Sequence, residues 1–214
     1  MKIILNCAQS IDGKLGYIGK QTELSNSEDW KQVHLMRERA DIILVGANTV
    51  RVDNPSLLVK KKHLGREPKK QPARAVISAS GEIPLHLKIF QTPPKTIIFT
   101  TEIGKKRLFN KIKEQNNKNI DYIQIISVGK QDITPERIVN MLEQEGYESL
   151  MIEGGAMVFS MFLTSSLSLK FRVFTAPVLL GEENTVPLIR KGSTNLKLKT
   201  FYNLGKGIVS CYEK

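Results

Sequence analysis

Two carboxylates, several cations and a pair of glycines occupy positions in this sequence where chemistry can be done. Residues 150–156 read Leu-Met-Ile-Glu-Gly-Gly-Ala. An apolar run ends in Glu153, two glycines follow, and an apolar helical pattern opens at Ala156. The glycines would expose amides at a helix N-terminus, an anion site suited to a dinucleotide pyrophosphate. A tight strand-to-helix turn would use the same glycines, and the G-x-G-x-x-G fingerprint is absent. Glu153, at the carboxyl end of a buried strand, is out of place unless it hydrogen-bonds a partner or a ligand.

Residues 41–57 carry the second group. Ile42 to Val45 is apolar without interruption, which is how a strand buried on both faces of a parallel sheet reads. Gly46 ends it, where backbone can approach a ligand closely. Asn48 and Thr49 then place small polar side chains at the carboxyl end of the strand, where open α/β sheets bind ligands. Asp53-Asn54-Pro55 closes the segment with turn chemistry and one carboxylate.

Two further places supply cations. Ala8 to Lys14 follows the first apolar run. Asp12-Gly13 signals a turn, Ala8 and Ser10 are small enough for a flat ring to lie against the backbone, and Lys14 adds a mobile charge. Arg37 follows Trp30 and Val33 at i+7 and i+4, on one helical face. Trp30 and Val33 are expected to face the core, so Arg37 turns inward and needs an anion. Two readings stand: a structural carboxylate with the stem along apolar surface, or a substrate phosphate.

The elements that must hold these residues follow from pattern. Strands are predicted at 2–7, 42–45, 75–78, 96–100, 122–128, 150–152, 171–176 and 207–212, and helices at 28–39, 105–115, 135–144 and 156–163. Ser25-Asn26-Ser27-Glu28 is a capping-box pattern for the first helix. Thr134-Pro135 starts another, and Gly146 ends it. Strands alternating with helices predict an α/β fold with a mostly parallel sheet. The last two strands lack a helix between them. They are expected to pair antiparallel at one edge, joined through a loop at 181–199. Residues 60–72, rich in lysine, read as an exposed loop. With no repeat or low-complexity tract, residues 1–214 read as one domain.

Composition narrows the function. The chain has 214 residues, 41% hydrophobic and 25% charged, as expected of a globular protein. No apolar stretch is long enough to span a membrane, and the N-terminus reads as a strand, not a signal peptide. Cytoplasmic residence is expected. Cys7 and Cys211 make neither a disulfide framework nor a metal set, and His34, His63 and His86 lack metal spacing, so no metal is expected. The net charge of +11 would suit a nucleic-acid-binding module. The aromatics, however, do not interleave with the basic residues as a single-strand surface needs. Lysines at 60–70, 105–118 and 188–199 serve equally as solvated surface or as attraction for phosphorylated small molecules.

Taken in order, Ala8 to Lys14, Arg37, Gly46 to Leu57, Glu153 to Gly155, Ala176-Pro177 with Gly181, and Leu204 to Ile208 resemble the riboflavin-biosynthesis reductase family over essentially the whole chain. The resemblance implies a dihydrofolate-reductase-like fold with helices on both faces of the sheet. Because the sequence starts at the reductase's first strand, it resembles the free-standing archaeal and fungal type. That type uses NADPH to reduce 2,5-diamino-6-ribosylamino-4(3H)-pyrimidinone 5′-phosphate to the ribitylamino compound. The close alternative is reduction of the deaminated 5-amino-6-(5-phosphoribosylamino)uracil.

The resemblance puts Ala8, Thr49, Asp53, Gly154, Gly155 and Ala156 against the cofactor, and Lys14, Arg37, Leu57, Lys60 and Glu153 against the substrate. Arg37 and Lys60 suit a phosphate, and Lys14 and Glu153 the polar edge of a pyrimidine. Asp53, Lys14 and Glu153 are the catalytic candidates, with Asp53 able to relay a proton through water. A homodimer is also implied. The chain departs from the family pattern at Ser78-Ala79-Ser80, where many relatives have Asp-Ser, at Leu169-Lys170, where an acidic pair is common, and at Ala156, where a third glycine is common.

Overall fold

The computed structural model describes residues 1–115 and 122–214. A nine-stranded sheet runs β10-β11-β8-β1-β7-β3-β4-β5-β6. Its parallel part comprises β8 (Lys170–Thr175), β1 (Lys2–Gln9), β7 (Ser149–Gly154), β3 (Ile42–Gly46), β4 (Ala73–Ile77), β5 (Thr96–Thr100) and β6 (Ile123–Ser127). The edge beyond β8 is antiparallel: β11 (Gly207–Glu213) pairs with β8, and β10 (Lys197–Leu204) pairs with β11. The expected pairing of the last two strands is therefore present. The stretch between them is not only a loop, because it contains β10. A separate ribbon joins β2 (Lys14–Tyr17) to β9 (Thr185–Pro187).

Helices cover both faces of the sheet. On one side α5 (Pro135–Gln144) and α6 (Ala156–Thr164) bury Ile138, Leu142, Phe159 and Phe162 against Leu5, Ile42 and Leu44. On the other, α1 (Ser27–Arg39), α2 (Ala47–Asp53) and α4 (Glu102–Gln115) bring Val33, Val50 and Leu108 against Ile43, Val45 and Met151. Successive residues of β3 thus enter opposite cores, as its unbroken apolar run requires. Burying such side chains is worth about 1.5–3 kcal/mol each, so the central strands are the rigid base on which the site stands.

Local chemistry sets the helix ends. Asn26 caps α1 by accepting from the Asp29 amide at 2.8 Å. Thr134 caps α5, with Pro135 in its first turn, and Gly146 leaves that helix at φ +86°. Two expectations need correction. Residues 47–53, outside the predicted helices, form α2, and Asn54 stops it in the left-handed region at φ +42°. Residues 60–72 are not simply an exposed loop: they contain α3 (Lys61–Leu64), with Leu64 buried. The same segment is held through Glu38, which takes both Arg66 Nη atoms at 2.8 and 2.6 Å and the Lys69 amide at 2.6 Å. Trp30 turns toward the core, as expected, and packs against the cluster that holds Val33, Ile43 and Val45. It is half-buried beside a stacked His34–His63 pair whose centroids are 4.3 Å apart. Of the lysine-rich stretch at 105–118, the part to Gln115 is helical, and 116–118 lie outside the described residues.

Candidate functional site

A cleft of about 800 Å³ opens across the carboxyl ends of β1, β7, β3 and β4, where an open parallel sheet places its ligands. Its walls come from strand ends and from the helices that follow them. Ala8 stands on β1, Glu153 and Gly154 on β7, Gly155 and Ala156 at the start of α6, and Thr49 and Asp53 on α2. All six residues expected against the cofactor line this one cleft, and Glu153 joins them.

The turn from β7 into α6 is built for close approach. Gly154 and Gly155 have φ +150° and +82°, values that side-chain-bearing residues rarely adopt. A Cβ on Gly155 would stand 3.3 Å from Thr49 Oγ1. No side chain caps α6, so its first amides and the Thr49 hydroxyl face the cleft together. That is the donor set a pyrophosphate needs, and a dinucleotide cofactor fits it. Ser78 and Ser80, positions at which the family pattern departs, also line the cleft, as do Arg51 and Arg190. No motif or spacing signals the two arginines.

The substrate-side residues divide. Arg37 is buried and lies against Glu153: Nε donates to Oε1 at 2.7 Å and Nη2 to Oε2 at 2.6 Å. Of the two readings open for its anion, the structure holds the carboxylate. Lys14, on β2, has its ammonium 3.6 Å from Glu182 and is not among the cleft-lining residues. Leu57 is buried, with its backbone at φ +53°. Lys60 is exposed, and its amide donates to His34 Nδ1 at 3.0 Å. Burial, and then Lys62, Arg37 and Lys88, push the Lys60 ammonium pKa down, so Lys60 sits within a cluster of positive charge.

The cleft carboxylates differ in setting. Burial raises the pKa of Asp53, and its side chain has no hydrogen-bond partner among the described residues. Glu153 is paired. A half-buried acid with a raised pKa is a natural place to hold a proton.

Behind the site lies a buried cluster that pattern reading missed. Arg172 on β8 donates to Asp29 of α1 at 2.7 Å, to Asn6 of β1 at 2.8 Å and to Gln32 at 3.1 Å. It fixes the helix that carries Arg37 to the sheet. Cys7, buried in β1, is a free thiol pushed upward in pKa by burial; Cys211 is also free. Among the described residues no group of His, Cys, Asp and Glu could hold a metal, and no helix is long and apolar enough to cross a membrane.

Comparisons with known proteins agree with this architecture. The chain is similar to the 2,5-diamino-6-ribosylamino-4(3H)-pyrimidinone 5′-phosphate reductase of Aquifex aeolicus, at 31% identity over 99% of this chain and 95% of the other. It is similar to the reductase of the same name from Methanothermobacter thermautotrophicus, at 27% identity over 98% and 96%. Among solved structures, Acinetobacter baumannii RibD superposes with a TM-score of 0.77 at 20% identity, covering 99% of this chain and 57% of that longer one. The dihydrofolate-reductase-like fold is thus the fold of this chain. The family model described as the RibD C-terminal domain matches residues 1–210, and the chain belongs to that family.

Proposed function

We propose that this protein reduces 2,5-diamino-6-ribosylamino-4(3H)-pyrimidinone 5′-phosphate to its ribitylamino product in riboflavin biosynthesis, with NADPH as reductant. Relatives of that name, matched over nearly their full length, support the reaction. The single observation that carries it is the cleft itself, in which the uncapped amides of α6, Thr49, Asp53 and Glu153 face one space.

The ring-opened ribosylamine presents a C=N bond. Reduction adds a hydride to the former anomeric carbon and a proton to the nitrogen. When bound, the reduced nicotinamide supplies that hydride and leaves oxidised. The chain does the rest. Gly154, Gly155, Ala156 and Thr49 hold the pyrophosphate, and the small side chain of Ala8 lets a flat ring lie on β1. Glu153 accepts hydrogen bonds from the N–H edge of the pyrimidine. Asp53 holds the proton that reaches nitrogen through water. Lys60, among Lys62, Arg37 and Lys88, attracts the 5′-phosphate. Lys14 approaches from the β2–β9 ribbon, and Leu57 backs the segment that presents Lys60.

A homodimer fits the exposed apolar side chains of the antiparallel edge, Leu198, Phe201 and Ile208, since an open edge strand invites pairing. Cytoplasmic residence fits a place in riboflavin biosynthesis, the role named for the RibD relatives.

The test is turnover of the pure protein with each pyrimidine, diamino and deaminated, and with NADPH and NADH. The proposal expects NADPH oxidation that depends on the diamino compound. Preference for the deaminated compound would transfer the assignment to it. Tight, salt-dependent oligonucleotide binding without turnover would point to a different class.

A further inference from the structure

We infer that Arg37 is a positioning residue that ties the site carboxylate Glu153 to the backbone at Leu58, and so to the segment carrying Leu57 and Lys60; the inference rests on the reductase reading above. Its donors are committed in two directions. Nε and Nη2 donate side by side to the two oxygens of Glu153, at 2.7 and 2.6 Å, and Nη1 donates to the Leu58 carbonyl at 3.2 Å. Both side chains are nearly buried, 8% and 9% exposed. A bidentate guanidinium–carboxylate pair fixes direction as well as distance. The face that Glu153 presents to the cleft is therefore set by Arg37, which α1 carries.

The segment on the other side of Arg37 is held from a second direction. Arg74 on β4 is fully buried and has no carboxylate partner among the described residues. Its Nη1 donates to the Ser56 carbonyl at 3.3 Å, and its Nη2 to the carbonyls of Thr92 and Pro94. The carbonyls two apart that flank Leu57 are thus each taken by a buried guanidinium. Leu57 lies between them at φ +53°, with its side chain 3% exposed. A non-glycine residue keeps such a backbone only where its surroundings over-determine it. Beyond it, the Val59 amide and carbonyl are bound by Gln71, and the Lys60 amide by His34. Of these ties among the described residues, only that of Arg37 also bonds a residue lining the cleft, Glu153. An arginine reserved for a mobile phosphate would keep its fork open toward solvent, but this fork is closed on Glu153.

The test combines kinetics of Arg37→Met, Arg37→Lys, Glu153→Gln and the double variant Arg37→Met/Glu153→Gln with hydrogen exchange of the 57–60 amides in the ligand-free protein. Kinetics are read on the phosphorylated pyrimidine and on its dephosphorylated form. Misplacing a site group by an ångström costs about a hundredfold, so Arg37→Met is expected to lower kcat/KM by about that factor, and equally on both substrates. The double variant is expected to match Glu153→Gln alone, because the two residues act as a unit. Arg37→Lys, which keeps the charge without the fork, is expected to fall between. Exchange at 57–60 is expected to quicken in both Arg37→Met and Glu153→Gln.

Losses that multiply in the double variant and are confined to the phosphorylated substrate would overturn the inference and make Arg37 a phosphate ligand. Wild-type kinetics with a lowered melting temperature would overturn it in favour of an ordinary structural pair. Should Arg37→Met fail to fold, Arg37→Lys and Glu153→Gln carry the same comparison. If the wild-type protein reduces neither pyrimidine, the reductase reading fails by itself. Exchange then judges the tie alone, and unchanged exchange in both variants overturns it.

Discussion

Gly155 and Thr49 face each other so closely that a Cβ on the glycine would stand 3.3 Å from the threonine hydroxyl. Gly155→Val fills that gap and forces a branched side chain to φ +82°. A side chain at φ +82° and ψ +125° costs about 1–3 kcal/mol, which lowers the melting temperature and leaves the fold in place. The pyrophosphate seat is lost, so NADPH affinity is expected to fall at least about tenfold, the equivalent of one lost hydrogen bond at about 1.4 kcal/mol. Titration of NADPH fluorescence checks it. Undiminished affinity in a folded variant would move the cofactor elsewhere.

Asp53 gives a pH dependence with a definite sign. Burial raises its pKa, so the protonated form persists to higher pH than for a free carboxyl. As proton holder it must be protonated, and kcat is expected to fall as pH rises through that raised value. Asp53→Asn is expected to lower kcat about a hundredfold, the low end for general acid catalysis, and to remove that limb of the profile. A variant with the same pH profile as wild type would exclude Asp53 from the proton path.

His34 makes stability depend on acid. Burial, helped by Arg37, His63, Lys60 and Lys62, holds its pKa down at about 3. The unfolded chain, with an ordinary histidine pKa, takes up the proton first. Its contribution is therefore complete above the unfolded value and is lost as pH falls from there toward 3. Denaturant midpoints of wild type and His34→Asn at neutral and mildly acidic pH are expected to converge on acidification. A constant difference would remove His34 from the account.

How much of this was legible in the sequence differs from element to element. β3 was plain because four successive apolar side chains must be buried on both faces of a sheet. The Glu153-Gly154-Gly155 turn was plain because only glycine accepts that backbone. α2 was not, since Thr49, Val50 and Val52 are β-branched and favour strand, and tertiary packing overrides them. β10 was hidden because its residues are exposed on both faces, leaving no alternation to read. Arg37 was rightly turned inward by helical spacing. Its partner was invisible to that spacing because Glu153 lies 116 residues away, brought near only by the sheet. Trp30 faces the core beside Val33, as that spacing requires, and also meets His34 and His63, a contact no spacing shows.

The antiparallel edge predicts assembly. Phe201 is 72% exposed and Leu198 50% on β10, an outer strand with unpaired backbone groups. Light scattering at micromolar concentration is expected to give a dimer, and Phe201→Lys to shift it toward monomer. A wild-type monomer would contradict the assembly and leave the site assignments untouched.

One turnover experiment decides whether this protein is the reductase: the purified protein, NADPH and 2,5-diamino-6-ribosylamino-4(3H)-pyrimidinone 5′-phosphate, with the product identified by mass. NADPH is expected to be consumed in equal amount to a product two hydrogens heavier, the ribitylamino compound. A folded protein that binds NADPH and leaves this pyrimidine unchanged would contradict it.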